Sequence, residues 1–171
     1  MDKKEFHCKF TCVGHTQSIS SIKFQPKGEF LATTGADRSI KLWSTQDGKF
    51  DRALYGHVGG VNDVTWSSDG KLMVTASDDK TVKIWSPNSK VELNTLSGGH
   101  TNYVFSSKFN VQNSVIASAG FDKTIILWDT RRGKILRVIE NAHSEAIISL
   151  DFSRDGSMVL SASYDGLLLN I

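Results

Sequence analysis

The sequence predicts an all-β protein: a β-propeller segment of four four-stranded antiparallel blades, the last of them incomplete. Three observations carry that expectation. The strings DRSIKLW (37–43), DKTVKIW (79–85) and DKTIILW (122–128) repeat one pattern, and DGLLLNI (165–171) repeats it with isoleucine in the tryptophan position. The pairs Gly14-His15, Gly56-His57 and Gly99-His100, then Ala142-His143, recur at spacings of 42, 43 and 43 residues. Finally, no window has the length and 3.6-residue period of a helix.

Each unit reads as strands in order. Five residues after each pair opens an inner run, ISSIKF from Ile19, VNDVTW from Val61, VFSSKF from Val104 and IISLDF from Ile147. Turn residues follow (QPKG, SSDG, NVQN, SRDG), then a run of small and β-branched residues such as KLMVTAS. A tight turn holds Asp37, Asp79, Asp122 or Asp165 and leads to the run ending on Trp43, Trp85 or Trp128. Another turn and a last apolar segment, for example KILRVIE, complete the unit. The expected blades span 14–55, 56–98, 99–141 and 142–171, with residues 6–13 as an outer strand that closes a ring.

Composition narrows the function. Charged residues make up 22% and the net charge is +2, which gives no clustered positive surface for nucleic acid. The densest basic spot, Arg131, Arg132 and Lys134 around Gly133, reads as a solvated turn. The first ten residues, MDKKEFHCKF, have no apolar leader core, and no run has transmembrane length, so neither secretion nor a membrane partner is expected. Cys8 and Cys12, about 13 Å apart on an extended segment, are too distant to pair, which suits an intracellular compartment.

Four residues before each turn aspartate stands a hydroxyl: Thr33, Thr75, Ser118 and Ser161. With His15, His57, His100 and His143, these residues offer a Ser-His-Asp arrangement, but a catalytic triad is needed once and this set occurs four times. One histidine per unit also lacks chelating spacing, so no metal, cofactor or enzymatic activity is expected. The set, with its tryptophans, resembles the WD-repeat (WD40) family over nearly the whole chain. The resemblance implies a hydrogen-bonded chain within each blade: indole to hydroxyl, hydroxyl to imidazole, imidazole to carboxylate. Trp43 and Trp85 are followed by Ser44 and Ser86, and only Trp128 keeps an aspartate, Asp129. Rings of this family usually have seven blades. Three readings of four blades stay open: a piece of a longer protein, two chains building a ring together as a homodimer, or closure by four blades alone.

Function belongs where the repeats differ. The residue before each turn aspartate is Ala36, Asp78, Phe121 or Tyr164, and the second residue of each inner run is Ser20, Asn62, Phe105 or Ile148. Both sets face the mouth of the channel, where aromatic rings beside Asp78 suit an arginine or lysine side chain. The competing reading packs Phe105 and Phe121 between blades. The strings GHTNYVF (99–105), WSSDGKLMVTASDDKTVKIW (66–85) and SYDGL (163–167) resemble the branch of WD-repeat proteins found in SET1/MLL histone methyltransferase complexes. That resemblance implies a nuclear scaffold whose mouth takes an arginine from a methyltransferase subunit or the histone H3 tail, without direct nucleic-acid contact. It places one phenylalanine of an arginine clamp at Phe105, with Ser20, Ala36, Asn62, Asp78 and Tyr164 lining the mouth and Ser18, Tyr103 and Phe121 nearby. Asn62 and Ser18 depart from the branch, and the opposing phenylalanine lies in a blade absent from this sequence. The alternatives are a scaffold in RNA processing or ubiquitin-ligase substrate recognition, or an inactive truncated product.

Overall fold

The computed structural model describes residues 7–171. Among them every regular element is a strand, arranged in four antiparallel sheets, each a consecutive meander. The first sheet holds β1 (Ile19–Phe24), β2 (Phe30–Gly35), β3 (Ser39–Ser44) and β4 (Phe50–Tyr55). The second holds β5 (Val61–Trp66), β6 (Met73–Ser77), β7 (Val82–Ser86) and β8 (Val91–Leu96). The third holds β9 (Val104–Phe109), β10 (Val115–Gly120), β11 (Ile125–Asp129) and β12 (Ile135–Ile139). The fourth has three strands, β13 (Ile147–Phe152), β14 (Val159–Ser163) and β15 (Leu168–Asn170).

Turn chemistry produces this meander. The residue after each turn aspartate takes a left-handed backbone: Arg38 (φ 64°), Lys80 (φ 68°), Lys123 (φ 64°) and Gly166 (φ 80°). The aspartate makes that turn tolerable for residues with a Cβ. Asp79 Oδ1, for instance, accepts from the Thr81 N–H at 3.0 Å and from the Thr81 hydroxyl at 2.6 Å. The second and third strands then pair in register, as Thr75 does with Lys83 and Met73 with Trp85.

The cores lie in the seams between sheets. Ala32, Ile40, Leu42 and Leu54 of the first blade pack on Val61, Val64, Trp66 and Met73 of the second. Val74, Val82, Ile84 and Leu96 then pack on Val104, Phe109 and Ile116 of the third, and Ala119 and Ile125 on Ile147 and Leu150 of the fourth. Inner strands β1, β5, β9 and β13 stand side by side along this series. The fourth inner-strand position carries Val64 and Leu150 but also Ser107, which is buried with its hydroxyl unpartnered.

The expected closing strand over residues 6–13 calls for a correction. Residues 7–13 contain no strand, and Phe6 lies outside the described residues. The segment leans instead on a turn of the first blade. Phe10 packs on Gly48 so closely that a Cβ there would lie 2.3 Å from the ring, and the Cys12 thiol donates to the Gly48 carbonyl at 3.5 Å. Cys8 and Cys12 are both free. No helix among the described residues is long and apolar enough to cross a membrane.

Candidate functional site

The repeated polar residues come together inside each blade. Trp43 Nε1 donates to Thr33 Oγ1 at 2.8 Å, and His15 lies between Thr33 (Nε2, 2.7 Å) and Asp37 (Nδ1, 2.8 Å). Trp85, Thr75, His57 and Asp79 repeat this with 2.8, 2.7 and 2.7 Å, and Trp128, Ser118, His100 and Asp122 with 2.7, 2.7 and 2.9 Å. In the fourth blade His143 joins Ser161 at 2.8 Å and Asp165 at 2.9 Å, and Ile171 stands where the other blades have tryptophan.

The ionised aspartate only accepts, so Nδ1–H faces the carboxylate; Nε2 is then the acceptor for the hydroxyl's proton, and the hydroxyl oxygen accepts from the indole N–H. The aspartates sit low as a result. Burial alone would raise the Asp37 carboxyl, but bonds from the Ser39 hydroxyl, the Thr16 N–H and His15 outweigh it and hold it at about 2. Asp165 is likewise held at about 2, burial being overcome by the Leu167 N–H, His143 and the Ser144 N–H. Asp79 and Asp122 are lowered too, against burial, chiefly by His57 and His100. Thr33, Thr75, Ser118 and Ser161 are all buried, so none of these four hydroxyls faces solvent. This network locks strand register.

The variable residues lie elsewhere. One backbone bond holds all four residues that precede the turn aspartates: Ala36 N–H to Ser18 O (2.9 Å), Asp78 to Gly60 (2.9 Å), Phe121 to Tyr103 (2.8 Å) and Tyr164 to Ala146 (3.1 Å). Ser20, Asn62, Phe105 and Ile148 line a single cavity of about 260 Å³, whose wall continues into Asp63 and Lys108.

At the second inner position the side chains stitch one blade to the next. The Ser20 hydroxyl donates to the Val61 carbonyl, and it also bonds the Thr34 hydroxyl at 3.0 Å. Asn62 Nδ2 donates to the Val104 carbonyl at 2.9 Å and to Asp78 Oδ1 at 2.7 Å. Phe105 has no donor to continue the series and presents a ring instead. That ring meets Phe121 edge-on, 6.3 Å between centroids at 82°, and Tyr103 packs on Phe121 at 6.4 Å. Gly120 permits the cluster, because a Cβ there would lie 2.0 Å from the Tyr103 carbonyl oxygen.

Asn62 therefore ties the Asp78 carboxylate to the backbone beside Phe105. Asp78 Oδ2 has no hydrogen-bond partner among the described residues. Phe121 is 51% exposed, and neither it nor Phe105 belongs to a core cluster, which overturns the reading of these rings as seam filling. Tyr164, 73% exposed, makes no ring contact among the described residues, and Ala36 is exposed beside Gly60.

Sequence reasoning missed one polar junction. Asp63 accepts from the Ser21 hydroxyl (3.0 Å), Lys108 Nζ (3.1 Å) and the Ser106 hydroxyl (3.2 Å), so one carboxylate joins three blades. The signal was present: the third inner position reads Ser21, Asp63, Ser106 and Ser149, with a single charge among serines. Among the described residues no three His, Cys, Asp or Glu side chains cluster as metal ligands would.

Comparison with known proteins adds to this geometry. The family model for the WD domain, G-beta repeat, matches residues 6–44, 48–86, 90–129 and 133–169. The chain is 43% identical over 43 residues to protein Mut11 of Chlamydomonas reinhardtii, covering 25% of this chain and 12% of that one. It is 42% identical over 38 residues to ribosome assembly protein 4 of Chaetomium thermophilum, 22% of this chain and 7% of that one. It is 39% identical over 44 residues to the COMPASS component SWD3 of Saccharomyces cerevisiae, 26% of this chain and 14% of that one. Each match thus spans a small part of its relative, about the length of one repeat.

Proposed function

The chain belongs to the WD40 family, the WD domain with G-beta repeats, and from that premise we propose that this scaffold for protein–protein interaction holds an arginine side chain at its channel mouth. The guest is a peptide from a methyltransferase subunit or the histone H3 tail, and the setting is the nucleus. One observation carries the reading: Asp78, with a free carboxylate oxygen, is bonded through Asn62 to the backbone next to the Phe105–Phe121–Tyr103 cluster. A guanidinium there meets ring faces and a carboxylate at once, a combination worth more than either part. The similarity of one segment to a COMPASS component favours this partner class. A similarity of about the same length to a ribosome assembly protein favours the second reading, a scaffold in RNA processing.

Titration of an arginine-bearing histone H3 peptide, followed by fluorescence anisotropy, tests the proposal. Phe105→Ala and Asp78→Asn are each expected to weaken binding by about tenfold, and replacing the peptide's arginine with alanine by at least as much. Equal binding by the wild type and Phe105→Ala removes the site from the mouth. Recovery of ribosome assembly factors and no methyltransferase component in a pull-down supports the second reading.

A further inference from the structure

The outer seams between blades differ where the repeat would make them alike. In the first seam Arg52 lies over the Phe30 ring, 5.7 Å from its centroid, and Nη1 donates to the Pro87 carbonyl of the second blade at 2.8 Å. Its Nε also donates to Asp51. Strand register pairs Arg52 with Leu42 and Asn94 with Ile84, so Asn94 occupies the place of Arg52 and Leu93 that of Asp51. The shorter amide touches the next blade but does not fill the second seam. It packs on the next blade's turn, where a Cβ on Gly133 would lie 2.2 Å from Asn94 Nδ2.

The space that Arg52 fills in the first seam is a cavity of about 490 Å³ in the second. Leu72, Ile84 and Leu93 form its apolar side, and Leu93 is 54% exposed. Thr130, aligned with Pro87, lines the opposite side, and its hydroxyl oxygen is buried with no hydrogen-bond partner. Arg131 stands at the rim, with Arg132 and Lys134 beside it in sequence. All three are exposed, and none has an acidic partner among the described residues. The local carboxylate, Asp129, directs Oδ1 to the backbone N–H groups of Arg131 and Arg132 at 2.9 and 2.7 Å.

We propose that this seam between the second and third blades is a docking groove for an extended segment of a partner protein carrying an aliphatic residue next to acidic ones. The aliphatic side chain rests on Leu72, Ile84 and Leu93. A peptide N–H donates to Thr130 Oγ1, and the acidic residues face the three unpaired cations. An apolar floor under a cationic rim suits such a segment and not a phosphate backbone, which has nothing to place on the three aliphatic residues.

A fluorescein-labelled heptapeptide of alternating leucine and glutamate probes the groove by anisotropy, with a leucine–lysine heptapeptide as control. The wild-type protein is expected to bind the acidic peptide saturably. The double variant Leu93→Asp, Asn94→Arg rebuilds the first seam's filling pair and is expected to bind about tenfold more weakly. Arg131→Glu, on an exposed side chain that leaves folding untouched, is expected to do the same, and Phe105→Ala to leave this binding unchanged. Equal affinity in the wild type and both groove variants overturns the proposal. So does equal binding of the lysine peptide, or no saturable binding up to about 1 mM.

Discussion

The hydroxyl of Thr75 is the point where the second blade's lock can be tested. Thr75→Val keeps the shape of the side chain but removes the one group that bonds both Trp85 Nε1 (2.8 Å) and His57 Nε2 (2.7 Å). Trp85 and His57 are buried, so neither gains water in exchange. Each stranded group costs about 1–3 kcal/mol, and the added methyl returns about 0.8 kcal/mol. The net loss is about 3 kcal/mol, a large share of the roughly 5–15 kcal/mol that holds a domain together. With a urea slope of about 2 kcal/mol per molar, the unfolding midpoint falls by about 1.5 M. In a Trp85→Phe background the indole donor is already gone, and the same substitution strands only His57. It should then cost only about 1 kcal/mol. The fourth blade provides a natural comparator, because Ser161→Ala strands His143 alone. The assay is urea unfolding followed by tryptophan fluorescence on all four members of the cycle, with Thr75→Ser as the conservative control. A coupling below about 0.5 kcal/mol between Trp85 and Thr75 would refute the account of the hydroxyl as a shared acceptor and donor.

Two further outcomes follow from the same structure. Asp63→Ala leaves Lys108 without its carboxylate and is expected to lower stability by about 3 kcal/mol, while adding Lys108→Met should recover part of that; no recovery in a urea melt would show that the junction is not electrostatic. Asp37 and Asp165, both held at about 2 against an ordinary 3.8, bind fewer protons folded than unfolded, so their contribution is present above pH 3.8 and lost as pH falls toward 2. Thermal melts should therefore drop across that window, and a midpoint constant from about pH 5 to about pH 2 would contradict the assigned bonds.

The strands and turns were legible because their causes are local. Period-two runs, turn glycines and an aspartate before a left-handed residue act within a few positions, and Arg38, Lys80 and Lys123 take that backbone in successive blades. The repeat also sets Ala36, Asp78, Phe121 and Tyr164 at one position of four blades, where the same backbone bond holds each. Contacts across seams were not legible, since they depend on how far apart two sheets settle. The double role of Asn62, reaching both Asp78 and the Val104 carbonyl, is of this kind, as is the three-blade reach of Asp63. The groove beside Asn94 is harder still to read, because it is defined by what a side chain fails to fill. The misplaced closing strand has the same origin: extended propensity in residues 7–13 becomes a strand only beside a free edge, and Phe10 found the Gly48 turn instead.

Each blade's lock is assembled wholly from that blade's own side chains, and this has a bearing on how such a molecule can change over generations. Drift at Ala36 or Tyr164 meets solvent and leaves every tryptophan, hydroxyl, imidazole and carboxylate bonded as before. Exposed rim residues of this kind can be rewritten singly, so new partners can be acquired without first repairing the scaffold that displays them.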